Sequence, residues 1–220
     1  MQERKLMELA EAAGNIAIVG HVRPDGDCVG SCLAVCNYIT EQYPEKMVDV
    51  YLETPSAKFS YLKQFERICS DPDTGKQYDL CICLDSGDRE RLGKNVVYLN
   101  TAKTSICIDH HITNQGYAAA NFVKADASAT CEALYDFLDE EKISRDVAEC
   151  IYTGILHDTN VFKNSNTTQR TMQVAGAMMA KGINFSRIID ESFYRKTYVQ
   201  NQIMGRAVLE SVLFLEGKCI

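Results

Sequence analysis

His21, Asp25, Asp27, Asp85, His110 and Asp158 are the residues whose types and placing could do chemistry together. The first three fall in His21-Val22-Arg23-Pro24-Asp25-Gly26-Asp27, directly after an apolar run that starts at Ile16. Asp85 follows the apolar run Tyr78–Leu84, His110 sits in Asp109-His110-His111 after Ser105–Ile108, and Asp158 closes a stretch of helical periodicity. One histidine in such a place is more often structural than a ligand, and a carboxylate beside a helix more often a cap or a solvated end. Three strand ends that each deliver His or Asp to one sheet edge are harder to dismiss, because ligands bind at the carboxyl edge of an open α/β sheet. Two imidazoles and four ionised carboxylates carry a formal charge of −4. Without counter-charge such carboxylates repel one another and rise in pKa, and two divalent cations would balance them. Carboxylate and imidazole donors without thiolate suit Mn²⁺, with Mg²⁺ or Fe²⁺ behind it. A metal pair roughly 3.5–4 Å apart activates water and clamps a phosphoryl group. The spacing therefore points to metal-assisted hydrolysis of a phosphoester or phosphoanhydride.

The elements that must position these groups follow from the hydrophobic pattern. Strands are expected at Ile16–Gly20, Met47–Leu52, Tyr78–Leu84, Val96–Leu99 and Ser105–Ile108. The third is apolar on both faces, as a central parallel strand must be. Helices are expected over Glu3–Ala13, from Cys28 to about Gln42, over Lys58–Phe65, and over Ser128–Leu138 with Ser128 as cap. Ser144–His157 places Val147, Ile151 and Ile155 on one stripe, the spacing of a buried helix face. Thr168–Lys181, a helix capped by Asn184 and a last helix from Thr197 complete a helical second half. The β/α alternation predicts an α/β fold, a five-stranded parallel sheet flanked by helices and followed by a helical segment. Pro24 biases Arg23 away from helix, and Gly26 allows a sharp bend between Asp25 and Asp27. Residues 211–220 read as a helix tail passing into a strand.

Net charge is −7 with no long basic run. Affinity for duplex DNA rests on neutralising phosphates, so a DNA-coating role is not expected, whereas a small phosphorylated ligand is. Ten cysteines might suggest disulfides. Cys28, Cys32 and Cys36, however, recur every four residues, and Cys81 and Cys83 alternate within a strand, which are positions for small packed side chains. None forms a Cys-x-x-Cys pair, so zinc is not expected. With no signal peptide and no 18-residue apolar run, the reading is a reduced, cytoplasmic protein without a membrane partner.

His21-Val22-Arg23-Pro24-Asp25-Gly26-Asp27-Cys28-Val29-Gly30-Ser31, Asp85-Ser86-Gly87-Asp88, Asp109-His110-His111 and Gly154-Ile155-Leu156-His157-Asp158-Thr159 resemble, in order, the four motifs of the DHH phosphoesterases. Within them the chain is most similar to the oligoribonucleases (nanoRNases), 3′-phosphoadenosine-5′-phosphate phosphatases and cyclic-dinucleotide-type phosphodiesterases, over about residues 5–215. The resemblance implies a Rossmann-like domain in which His21 and Asp25 hold one Mn²⁺, Asp27, His110 and Asp158 hold the other, and Asp85 bridges both; Mg²⁺ is compatible. It further implies that Asp109 orients an imidazole and that His111 meets the phosphate. Ser31, at a helix start, and Arg89 and Arg91, after the second motif, are weaker candidates for phosphate contacts; for the two arginines a plain surface role weighs equally. His157 stands where many members carry Thr, and Asn160 where many carry Gly. Family enzymes continue into a C-terminal lobe with a Gly-Gly-Gly-His segment. This divides the chain into a catalytic domain over 1–195 and, over 196–220, a linker helix with the start of that lobe. The expected substrates are short RNA, dinucleotides and 3′,5′-bisphosphate nucleotides, and a homodimer is compatible. Alternatives are a family II inorganic pyrophosphatase, whose first motif usually reads Asn-Pro-Asp-Thr-Asp, and a non-catalytic nucleotide- or metal-binding regulator, which would be expected to have lost ligands.

Overall fold

The structure is a computed structural model and describes residues 5–73 and 75–211. Six parallel strands form one sheet: β1 (Asn15–Val19), β2 (Met47–Tyr51), β3 (Ile68–Cys69), β4 (Leu80–Leu84), β5 (Thr104–Asp109) and β6 (Ala120–Val123), in the spatial order β3-β2-β1-β4-β5-β6. From β1 the chain builds outward to β3, then returns to lay β4 on the other side of β1. The strand order thus reverses between β1 and β4, the place where an open parallel sheet leaves a crevice at its carboxyl edge.

Eight α-helices accompany the sheet among the described residues: α1 (Lys5–Ala12), α2 (Gly26–Gln42), α3 (Val96–Thr101), α4 (Thr130–Tyr135), α5 (Arg145–Asp158), α6 (Gln169–Ala180), α7 (Phe185–Ile189) and α8 (Tyr198–Leu209). Side chains alternate along the strands, so the sheet has two unequal faces. Ile16, Ile18, Leu80, Ile82, Ile106 and Ile108 face the larger core beneath α1, α2, α4 and α5. Ala17, Val19, Cys81, Cys83 and Cys107 face a thinner layer closed by Leu92, Tyr98 and two further tyrosines, Tyr51 and Tyr78. The cysteines of α2 and β4 are buried packing residues, as their spacing implies. Burial pushes the Cys36 thiol up to about 12.

Three expectations are corrected. The sheet has six strands rather than five, and Val96–Leu99 is not one of them: it forms α3, whose Tyr98 fills the thinner layer. The additional strands are β3, only two residues long, and β6, a half-exposed edge. Lys58–Phe65 is not one helix but runs from one short 3₁₀ turn, Ala57–Phe59, into a second, Phe65–Arg67. The Asn184 cap forms as read, and Ser144, Thr168 and Thr197 also cap the helices that start there, each side chain accepting a first-turn N–H. No described helix is long and apolar enough to cross a membrane. The strand expected after Ser211 lies outside the described residues.

Candidate metal centre

Two glycines decide how closely the helices approach. A Cβ on Gly30 of α2 would lie 2.6 Å from the Cys150 carbonyl oxygen, and one on Gly154 of α5 would lie 2.5 Å from Asp27 Oδ1. With hydrogen at both places, α2 and α5 pack backbone to backbone, and the C-terminal end of α5 meets the N-terminal turn of α2. Asp158 is thereby carried to Asp27. A third glycine, Gly26, lies against the His157 ring, where a Cβ would be 2.3 Å from Cγ.

The strands supply the rest. His21 follows β1, Asp85 follows β4 and His110 follows β5, so the crevice between β1 and β4 is lined from three neighbouring strand ends. Asp85 adopts φ +53°, a left-handed conformation that Asp tolerates better than most residues. Its two carboxylate oxygens face different groups. Oδ2 lies 3.3 Å from His21 Nε2, and Oδ1 lies 3.7 Å from His110 Nε2. Asp25 Oδ1 completes the first group at 3.7 Å from His21 Nε2. Asp158 Oδ2 and Asp27 Oδ2 complete the second, at 3.2 Å and 4.0 Å from His110 Nε2. All six sequence candidates converge, in two groups that share Asp85.

Both imidazole rings are held in one orientation. His21 Nδ1–H donates to the Val22 carbonyl at 2.8 Å and His110 Nδ1–H to the Ala127 carbonyl at 3.3 Å. Each ring therefore turns Nε2 to the carboxylates, the arrangement of a metal-ligating histidine. Asp109 is fully buried and accepts from His111 Nδ1 at 2.7 Å and from Asn114 Nδ2 at 2.7 Å. That bond fixes the His111 ring and leaves its Nε2 as the free end.

The electrostatics show what the cluster lacks. Burial, then the Asp85 and Asp158 charges, push Asp27 well above the usual carboxylate range. Burial also raises Asp158, against the pull of His110. Burial alone would lower His110, yet Asp158, Asp27 and Asp85 hold it up to about 10; Asp25 and Asp85 likewise hold His21 up against its burial. Carboxylates forced up and imidazoles held charged are the mark of a site with surplus negative charge. The donor set, all oxygen and imidazole nitrogen with Nε2 aimed inward, fits hard or borderline divalent cations.

Several supports were not visible in the sequence. Asp27 accepts the backbone N–H groups of Thr130 at 2.6 Å and Cys131 at 2.9 Å, capping α4 from 103 residues away. Ser128, expected to cap that helix, instead donates to the buried Glu132 at 2.6 Å. Thr130 Oγ1 donates to Asp85 Oδ1 at 2.9 Å. Asp25, besides facing His21, is the cap of α2 through the N–H groups of Asp27 and Cys28. Asn166 ties the Ser128 and Asp158 carbonyls together at 3.1 Å and 3.3 Å.

The weaker candidates fare differently. Ser31 is not at the helix start: α2 begins at Gly26, and Ser31 is fully buried in the second turn with its hydroxyl donated back to the Cys28 carbonyl. It has no free face for a phosphate. Arg89 turns its guanidinium to Asn100 on α3 at 2.9 Å. Arg91 holds the loop after β1 through its backbone carbonyl, which accepts from the Val22 N–H at 2.7 Å. His157 packs between Phe59 and Phe193 and points Nε2 at Ser192; burial lowers it to about 4. It is a neighbour of the centre. Asn160 takes φ +50°, a left-handed conformation that Asn tolerates better than most residues.

A parallel α/β sheet whose switch point gathers two sets of carboxylate and imidazole donors defines a class of metal-dependent α/β domain. Residues 15–155 match the model of the DHH family, N-terminal domain, and the chain belongs to the DHH family. It is 30% identical over 184 residues to the bifunctional oligoribonuclease and PAP phosphatase NrnA of Bacillus subtilis, covering 81% of this chain and 57% of that protein. It is 31% identical over 191 residues to a probable protein of the same description from Streptococcus mutans, covering 84% of this chain and 58% of that one. The chain therefore spans little more than half the length of these curated relatives. The fold is that of an exopolyphosphatase-related protein from Bacteroides fragilis, with a TM-score of 0.87 at 22% identity over 97% of this chain and 66% of that one.

Proposed function

We propose that this chain carries the metal centre of a phosphoesterase that hydrolyses short oligoribonucleotides and dinucleotides, and removes the 3′-phosphate of 3′,5′-bisphosphate nucleotides. The observation that carries the reading is Asp85, whose two oxygens face two separate donor groups. His21, Asp25 and Asp85 would hold one divalent cation, and Asp27, Asp85, His110 and Asp158 a second, with Mn²⁺ as the expected ion. Bound there, the pair would supply Lewis-acid activation of water and neutralise phosphate charge. The chain's own residues do the rest. The Nδ1 bonds of His21 and His110 to backbone carbonyls fix where Nε2 points. Thr130 fixes the rotation of the Asp85 carboxylate, and the first N–H groups of α4 fix that of the Asp27 carboxylate. Asp109 raises the pKa of His111 by a hydrogen bond, which favours the protonated ring, whose Nε2–H would donate to a phosphate oxygen that gains charge during the reaction. Residues 1–195 serve in this reading as the catalytic domain, with the chain from 196 leading away from it as a linker; α8 buries none of its side chains. NrnA relatives named for oligoribonuclease and PAP phosphatase activity support the substrate class.

The test is turnover of a five-nucleotide RNA, a dinucleotide, adenosine 3′,5′-bisphosphate and pyrophosphate with Mn²⁺. The three nucleotide substrates should be cleaved, and Asp85→Asn should lower their turnover by at least ~10²-fold, the usual cost of losing a key charge-stabilising group. Cleavage of pyrophosphate alone would assign the centre to phosphoanhydrides. Near-normal turnover in Asp85→Asn would end the two-metal reading.

A further inference from the structure

Beside the metal centre lies an open groove of about 780 Å³. It runs between the 56–61 segment and the chain from α7 to the first turn of α8. In a protein of net charge −7, its lining carries Lys58, Arg187, Arg195 and Lys196 against the one carboxylate of Glu191. Arg187 is paired with Glu191 at 3.0 Å. Among the described residues, Lys58, Arg195 and Lys196 make no ion pair. Three uncommitted cations therefore face one groove.

The groove adjoins the metal centre through a short chain of contacts. Lys58 Nζ sits 4.9 Å from the centroid of the Phe59 ring, Phe59 packs edge-on against His157 at 5.0 Å, and His157 abuts Gly26 between Asp25 and Asp27. Tyr61 is the one aromatic side chain in the lining. Tyr194 and Tyr198, 56% and 77% exposed, adjoin the lining residues Arg195 and Thr197 in the chain. Cations that follow phosphates beside rings that can stack bases are the physical form of a single-strand nucleic-acid track. An acidic peptide would use the cations but leave the rings idle.

We infer that this groove holds the phosphates and bases of a single-stranded oligonucleotide beyond the bond being cleaved, with Lys58 at the end nearest the metal centre and Arg195 and Lys196 farther along. The inference rests on the phosphoesterase reading for its substrate class, but it makes a claim about binding that does not need turnover. Each phosphate neutralised on a single strand contributes about −0.7 to the slope of log affinity against log salt. Removing Arg195 and Lys196 should thus flatten that slope by about 1.4, so that a fourfold rise in salt costs the wild type about sevenfold more affinity than the variant.

The experiment measures fluorescence anisotropy of labelled RNAs of two to seven nucleotides at several salt concentrations, in EDTA so that no hydrolysis competes. Wild type should bind more tightly as length grows, and Arg195→Ser with Lys196→Ser should lose the length dependence and flatten the slope by about 1.4. Removing two exposed cations elsewhere, Lys94→Ser with Lys103→Ser, should leave both intact. Equal effects of the two double variants, no effect of the first, no RNA binding by wild type, or equal affinity for a pentaglutamate peptide would each overturn the assignment. RNA bound in the groove but never cleaved with Mn²⁺ would instead sink the hydrolase reading and leave this one standing.

Discussion

Gly154→Ala should damage both the fold and the metal centre, although Ala is ordinarily the better helix residue. Gly154 lies inside α5, where replacing Gly with Ala gains about 0.5–1 kcal/mol if the methyl meets nothing. Here the Cβ would lie 2.3 Å from Cys131 Sγ, 2.5 Å from Asp27 Oδ1 and 2.9 Å from Cys131 Cβ. Neither neighbour can retreat. Cys131 is buried, and Asp27 is buried and held by two backbone N–H groups. Overpacking such a place costs about 1–3 kcal/mol, and loosening the two hydrogen bonds adds about 1 kcal/mol each. The net expectation is destabilisation of roughly 2–4.5 kcal/mol, with weaker Mn²⁺ binding because Asp27 is displaced. Gly176 in α6 is the control: a Cβ there meets nothing within 4 Å, so Gly176→Ala should stabilise by about 0.5–1 kcal/mol and leave metal affinity unchanged. Urea unfolding in EDTA reads stability, and calorimetric titration reads Mn²⁺. A Gly154→Ala protein as stable as wild type with unaltered Mn²⁺ affinity would refute the claim that this glycine seats Asp27.

Two further outcomes follow from the same geometry. Thr130→Val removes the hydroxyl that fixes Asp85 while keeping the side chain's shape. Outer partners of ligands typically matter by 10–100-fold in metal affinity, so Mn²⁺ should bind about tenfold more weakly, and an unchanged titration would show that Asp85 needs no such support. His110 is held up to about 10 by its carboxylate neighbours, against about 6.5 in an unfolded chain. In the metal-free protein this pairing therefore stabilises the fold fully below about pH 6.5, and the contribution is lost as pH rises toward 10. A cation at Nε2 must displace that proton, so Mn²⁺ affinity should climb about tenfold per pH unit between about pH 6.5 and 9 for each imidazolium displaced; a flat profile would exclude His21 and His110 as ligands.

The centre was legible in the sequence because its donors are chemically conspicuous and sit where hydrophobic runs stop. His21, Asp85 and His110 each end or follow a strand, and parallel strands bring such ends to one edge. The cap at Asn184 was legible because it acts on its own helix within three residues. What stayed hidden depends on partners far away in the chain. The cap of α4 is Asp27, from another helix, so Ser128 was the natural wrong choice. Gly26, Gly30 and Gly154 reveal their purpose only beside His157, Cys150 and Asp27. Val96–Leu99 is apolar and partly β-branched, and a run that short does not distinguish a strand from a buried helical turn. β3 is too short to leave a pattern at all. Ser31 was misplaced because the helix starts two residues before Cys28, which moves Ser31 from an open first turn into the core.

The most direct test of the central claim is the number of Mn²⁺ ions bound and whether they share a ligand. Titration followed by electron paramagnetic resonance should show two equivalents bound per chain, with the spectrum of a spin-coupled pair as expected for ions roughly 3.5–4 Å apart, and Asp85→Asn should abolish the coupling. One equivalent, or two that give independent six-line spectra, would contradict the shared centre built on Asp85.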